Sequence, residues 1–144
     1  MAIADVPLFY ADASALVKLV RDEPESPSLR AFLFDADLVS SELALTEVQR
    51  AAHRAADDDP GLPLELLLAR TGELLDAVGL LPVERELLVA AGALAAPALR
   101  ALDAIHVASA VAVAPIDAFV SYDQRQSAAA RLAGLRTVAP AVAS

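Results

Sequence analysis

The chain has 144 residues, 57% of them hydrophobic, and a formal net charge of -9 from 20 acidic and 11 basic residues. That is too apolar for disorder and long enough for one domain with a sizeable core, expected to cover residues 1–144. The longest uncharged runs, Leu87 to Leu99 and Ala104 to Ile116, are 13 residues each, short of the roughly 20 that a membrane-spanning helix needs.

Val6 to Ala11 reads as a strand, Asp12 follows it, and 13–21 reads as a helix that Glu23-Pro24-Glu25-Ser26-Pro27 ends. A short helix over 27–35, a strand over 37–40 and a helix over 41–57 come next. On that last helix a 100° wheel places Leu43, Ala44, Leu45, Val48, Ala51, Ala52 and Ala55 on one apolar face, with Glu47 on its rim. The acidic run Asp57-Asp58-Asp59 before Pro60-Gly61 reads as a solvated loop. Helix 63–78, strand 80–83 and helices 84–95 and 98–114 follow, then strand 118–122, Asp123, helix 124–133 stopped by Gly134, and strand 135–139. Helices outnumber strands and the connections favour parallel pairing. The fold class expected is α/β in three layers, a mainly parallel sheet of about five short strands flanked by helices.

Four acids stand beside or inside apolar segments: Asp12, Glu47, Asp103 and Asp123. Asp12 and Asp123 each follow a strand and precede a helix. In open α/β sheets such positions face the crevice outside the carboxyl ends of the strands. Each is also a good helix N-cap, and taken singly the cap explains it. Asp103 interrupts a helix, Ala98 to Ala114, that is apolar almost all round. An ionised acid persists there only when paired, hydrogen-bonded or metal-bound. A helix start, or a pair with Arg100, would equally explain it. For Glu47 the plain account is a surface pair with the neighbouring Arg50 or Arg54.

Taken together, the four suggest an acidic metal-binding cluster. An all-carboxylate set selects hard divalent cations such as Mg²⁺ or Mn²⁺, and phosphodiester hydrolysis is the reaction such a set supports. Clustered acids also predict mutual repulsion in the absence of a cation, which raises some of their pKa values. The chain has no cysteine, which removes disulfides, thiol nucleophiles and Cys-ligated zinc and agrees with a reducing compartment. With only His53 and His106 a His-rich metal site is excluded, and His106 is read as a core or rim histidine. The start of the chain lacks a basic segment of the kind that opens a signal peptide, so a cytoplasmic protein is expected. The acidic balance argues against broad attraction to nucleic acid. It leaves nucleic acid open as a substrate, because carboxylate-held metal ions neutralise phosphate locally. No G-x-x-x-x-G-K-[ST], G-x-S-x-G or G-x-G-x-x-G occurs.

Four segments in order, Tyr10-Ala11-Asp12-Ala13-Ser14-Ala15-Leu16-Val17-Lys18, Thr46-Glu47-Val48-Gln49-Arg50-Ala51, Leu102-Asp103-Ala104-Ile105-His106-Val107-Ala108-Ser109-Ala110 and Ser121-Tyr122-Asp123-Gln124-Arg125, resemble the PIN domain. The match is closest to VapC-type toxins of type II toxin-antitoxin pairs. The resemblance spans essentially the whole chain. It implies that Asp12, Glu47, Asp103 and Asp123 converge on Mg²⁺ or Mn²⁺ and cut RNA endonucleolytically, with Ser14 and Ser121 supporting the carboxylates. Ser121 stands where the family often has Thr. It further implies inhibition by a cognate antitoxin, and a homodimer or a toxin-antitoxin hetero-oligomer. Lys18, Arg50 and Arg125 stand close in sequence to the acids and could touch RNA phosphates, although ordinary solvated charges are the simpler account of each. A catalytically silent PIN-like binding module, or a phosphatase or DNA-directed nuclease on the same scaffold, remains an alternative.

Overall fold

The computed structural model describes residues 6–142. Five parallel strands form one sheet in the order β3-β2-β1-β4-β5: β1 is Leu8–Ala11, β2 Asp37–Ser41, β3 Gly79–Leu81, β4 Ala118–Val120 and β5 Thr137–Val138. Seven helices connect them: α1 Ala13–Val20, α2 Ser26–Leu33, α3 Leu43–Asp58, α4 Leu64–Ala77, α5 Arg85–Gly92, α6 Ala101–Val113 and α7 Gln124–Leu132. From the central β1 the chain moves outward through β2 and β3, then returns to β4 on the other side. The carboxyl ends of β1 and β4 therefore flank the point where the winding reverses, where α/β sheets open a crevice.

Alternation along the strands sorts the core into two layers, because successive side chains point to opposite faces. Phe9, Ala11, Ala118 and Val120 pack with Leu16, Leu29, Val48, Leu67 and Leu75 of α1 to α4. Tyr10 and Phe119, neighbours in the β1–β4 register, stack at 5.4 Å on the opposite face against Val107 and Ala110 of α6 and Ala129 and Ala130 of α7. Helix α5 closes against α6 through Ala91, Ala104, Ile105 and Ala108. On α3 the buried positions are Ala44, Val48, Ala52 and Ala55, a narrower stripe than the sequence pattern suggests. Leu45 is 48% exposed.

Each expected element is present, with shifts at the ends. Strand β1 starts at Leu8 because Pro7 has no N–H to give the ladder; its carbonyl still accepts from the Asp37 N–H at 2.8 Å. The helix expected from residue 98 starts at Ala101, since Ala96 to Leu99 forms a turn with Pro97 at its second position, closed by Leu99 N–H to Ala96 O at 3.0 Å. Asp103 thus lies in the first turn of α6 and is half-buried, not sealed inside an apolar helix. Helix α3 runs into the acidic stretch as far as Asp58, and Asp57 to Asp59 are exposed. Among the described residues no helix is long and apolar enough to cross a membrane.

Helix α7 ends in a Schellman turn. The Leu135 N–H bonds Ala130 O and the Gly134 N–H bonds Arg131 O, both at 3.0 Å, with Gly134 at φ 90°. A Cβ at Gly134 would meet nothing within 4 Å, so the cost of a side chain there is the left-handed backbone alone. Gly134→Ala is expected to lower stability by about 1–2 kcal/mol, read from urea unfolding, without a change of slope.

Candidate active site at the carboxyl ends of β1 and β4

The ladder between β1 and β4 continues one step past the strands, with the Asp12 N–H bonded to Val120 O at 3.2 Å. This sets Asp12 at the mouth of the sheet, where its side chain is 1% exposed. Asp12 Oδ1 accepts from Ser14 Oγ at 2.7 Å and from the Ala15 N–H at 3.0 Å, and Oδ2 accepts from Ser121 Oγ at 2.6 Å. The Ala15 bond is the N-cap of α1. Burial nevertheless dominates and pushes the Asp12 carboxyl above its ordinary pKa, against the lowering effect of the hydrogen bonds.

The two serines bind the β1 and β4 ends together. Ser14 Oγ also accepts from the Tyr122 N–H at 2.9 Å, and Ser121 Oγ accepts from the Asp123 N–H at 3.0 Å. Asp123 caps α7 through Oδ1 and the Gln126 N–H at 3.0 Å. Gln126 is 3% exposed and its Nε2 donates to Asp103 Oδ1 at 2.9 Å, so this one residue touches both Asp123 and Asp103. Burial raises the Asp103 pKa first, and the Asp123 charge raises it next. The repulsion expected among clustered acids is therefore present at Asp103, second to desolvation.

Glu47 enters from α3. Its partner is neither Arg50 nor Arg54 but His106 of α6: Glu47 Oε1 and His106 Nε2 are 2.6 Å apart. His106 is 1% exposed, and its Nδ1 lies 2.8 Å from the Tyr10 hydroxyl. Helix α3 packs on the Phe9 face and α6 on the Tyr10 face, so this bond crosses the carboxyl edge of the sheet.

The four acids thus share one end of the sheet. As the side chains stand, no three of the described Asp, Glu and His groups converge on one point at metal-ligand spacing. Among the described residues no Lys or Arg forms an ion pair with any of the four, and Arg100 is not paired with Asp103. Two clefts adjoin them. One of about 590 Å³ is lined by Ser14, Lys18, Glu47, Arg50, Arg54 and Tyr122, and one of about 400 Å³ by Arg100, Asp103, Asp123 and Arg125. Lys18 is engaged elsewhere, bonded to Glu25 at 3.0 Å and Glu23 at 3.4 Å and lying 4.8 Å from the centre of the Tyr122 ring. Of Lys18, Arg50 and Arg125 it is the one already paired with acids.

Two residues that touch the acids were not among those expected from sequence to do so. His106 sits three residues after Asp103, hence on the same helix face, as a polar break in an apolar run. Gln126 follows Asp123 at the third position, where a capping box places Glu or Gln.

A family model, the PIN domain, matches residues 9–132. Ribonuclease VapC35 of Mycobacterium tuberculosis (strain ATCC 25618 / H37Rv) is 41% identical over 139 residues, covering 92% of this chain and 97% of that protein. Ribonuclease VapC46 of the same strain is 39% identical, with 91% and 96% covered. Ribonuclease VapC47 of strain CDC 1551 / Oshkosh is 34% identical, with 92% and 97% covered. The crystal structure of PAE2754 from Pyrobaculum aerophilum superposes with a TM-score of 0.63 at 18% identity, covering 92% of this chain and 84% of that one, a likeness of fold alone. The chain belongs to the PIN-domain family, in its VapC-type branch.

Proposed function

We propose that the chain is a metal-dependent endoribonuclease, the toxin of a type II toxin-antitoxin pair, with Asp12, Glu47, Asp103 and Asp123 as ligands of Mg²⁺ or Mn²⁺. The observation that carries this reading is the buried Asp12 carboxylate, held on both oxygens by Ser14 and Ser121, beside three further acids that no Lys or Arg pairs with among the described residues. Such a cluster is short of positive charge. A hard divalent cation suits oxygen-only donors, and the relatives that match over nine tenths of the chain carry ribonuclease in their names.

When bound, the cation supplies an acidified water and neutralises charge on phosphoryl oxygens. The protein's part is to hold its donors ready. Ser14 and Ser121 fix the plane of the Asp12 carboxylate and engage both its oxygens. Asp123 spends Oδ1 on its helix cap, and among the described residues Oδ2 has no hydrogen-bond partner. Gln126 restrains Asp103 through one oxygen. Arg50 and Arg54 on one side, and Arg100 and Arg125 on the other, line the two clefts and provide the local positive charge that a chain of net charge -9 otherwise lacks. A single RNA strand laid across the acids would meet arginine on both flanks. The acidic surface suits a basic segment of an antitoxin.

Purified protein should cut members of a structured-RNA panel into discrete fragments in Mg²⁺ or Mn²⁺, and the fragments should vanish with EDTA and in Asp103→Asn. Absence of cleavage, with no metal uptake by titration, would move the reading to a binding module. Ser121→Ala is expected to lower metal affinity or activity by about 10–100-fold, and Ser121→Thr, which keeps the hydroxyl, to stay near wild type. Binding of single-stranded RNA by the Arg50→Ala/Arg54→Ala double variant, measured in EDTA over a salt series, should show a log–log slope shallower by about 1.4. An unchanged slope would remove the α3 arginines from the substrate path.

A further inference from the structure

We infer that Tyr10 and His106 are positioning residues that hold Glu47 at the acid cluster, an inference that rests on reading Glu47 as a metal ligand. Glu47 is half-buried on the rim of α3, and a glutamate in that setting samples many rotamers, so ordering it costs conformational entropy each time it must act. Here the order is built in. His106 Nε2 stands 2.6 Å from Glu47 Oε1, and the ring is held in turn by Tyr10, whose hydroxyl is 2.8 Å from Nδ1 and whose own ring stacks on Phe119 at 5.4 Å. His106 and Tyr10 are both sealed from solvent.

With a neutral imidazole the donors and acceptors match in one direction. A carboxylate only accepts, so Nε2 carries the proton and donates to Glu47. Nδ1 is then the acceptor, and the Tyr10 hydroxyl donates to it. Tyr10 thereby helps fix the orientation of the ring, since a flipped ring would put carbon in place of both nitrogens and lose both bonds. Among the described residues only Oε1 is engaged; Oε2 has no hydrogen-bond partner there and is available to a cation. The connectivity is economical in position. Tyr10 lies two residues before Asp12 on β1, His106 lies three after Asp103 on α6, and Glu47 is on α3. One line of hydrogen bonds therefore ties β1, which leads into Asp12, to the helices that carry Asp103 and Glu47, across the two helical layers. Oriented ligands of this kind depend on the groups behind them.

The test compares wild type with His106→Ala, His106→Gln, Tyr10→Phe and Glu47→Gln, each taken through a melting curve, Mn²⁺ titration calorimetry and steady-state cleavage of a defined RNA. His106→Ala should weaken Mn²⁺ binding by about 10–100-fold and lower kcat, with KM for RNA unchanged. His106→Gln, whose amide N–H reaches the place of Nε2, should recover most of the loss. Tyr10→Phe should weaken Mn²⁺ binding by about 2- to 10-fold, the value of one hydrogen bond. Placed in the Glu47→Gln background, neither His106→Ala nor Tyr10→Phe should weaken Mn²⁺ binding further, because the group they position is already gone. Imidazole ¹⁵N spectra should show the Nε2-protonated tautomer in wild type, the form that the Glu47 carboxylate requires.

Wild-type Mn²⁺ affinity in both His106→Ala and Tyr10→Phe would overturn the inference while leaving the metal centre intact. So would losses that persist undiminished in the Glu47→Gln background, which mark a general structural role. If His106→Ala does not fold, the Tyr10→Phe arm decides by the same two criteria. Wild-type protein that takes up no Mn²⁺ would overturn the metal-centre reading itself, and this inference with it.

Discussion

A carboxylate buried at the end of a strand must have its oxygens satisfied by the protein, and at Asp12 that requirement organises the surroundings. Three donors reach it: the Ser14 and Ser121 hydroxyls and the Ala15 N–H. Ser121 follows β4, so the bond exists only because β4 lies beside β1 in the sheet. Each serine then accepts a backbone N–H in return, from Tyr122 and from Asp123. The polar mouth is thus closed by hydrogen bonds, while the apolar faces below it close by packing. The two depend on each other, because a shift of β4 along β1 would leave a buried acid without its partner.

Capping and site-building turn out to be the same act. Asp12 and Asp123 cap α1 and α7, and Asp103 sits in the first turn of α6. Three helix N-termini therefore direct their unsatisfied N–H groups and partial positive charge toward one set of acids. This offsets part of the repulsion that burial intensifies, and it does so without a lysine or arginine that would compete with a cation. The basic residues stand back from the acids and line the clefts on either side.

Much of the fold was legible in the chain because its signals are local. Strand runs such as Leu8 to Ala11, the Glu23 to Pro27 break and the Gly134 stop act within a few residues. The ends moved where a proline intervened, at Pro7 and Pro97. Leu45 was misplaced because a wheel assigns direction from the helix alone, whereas burial depends on where α1 and α4 stand; the close-packed stripe is mostly alanine. The candidate site was legible as a set of acids near one another but not as a set of contacts. Arg50 is three residues from Glu47 and looked like its partner. The actual partner, His106, is 59 residues away. Gln126 and Asp103 are separated by 23 residues and meet for the same kind of reason.

The chain by itself determined a parallel α/β architecture, the four acidic positions in order, and the place of Asp12 and Asp123 at strand ends and of Glu47 on a helix rim, because periodicity, caps and breaks are written in neighbouring residues. Only the tertiary structure decided that Asp103 opens a helix instead of being sealed within one, that Lys18 is taken up by Glu23 and Glu25, and that Tyr10, His106 and Glu47 form one line. Those outcomes depend on distances between elements far apart in sequence, which the sheet order sets and no local pattern encodes.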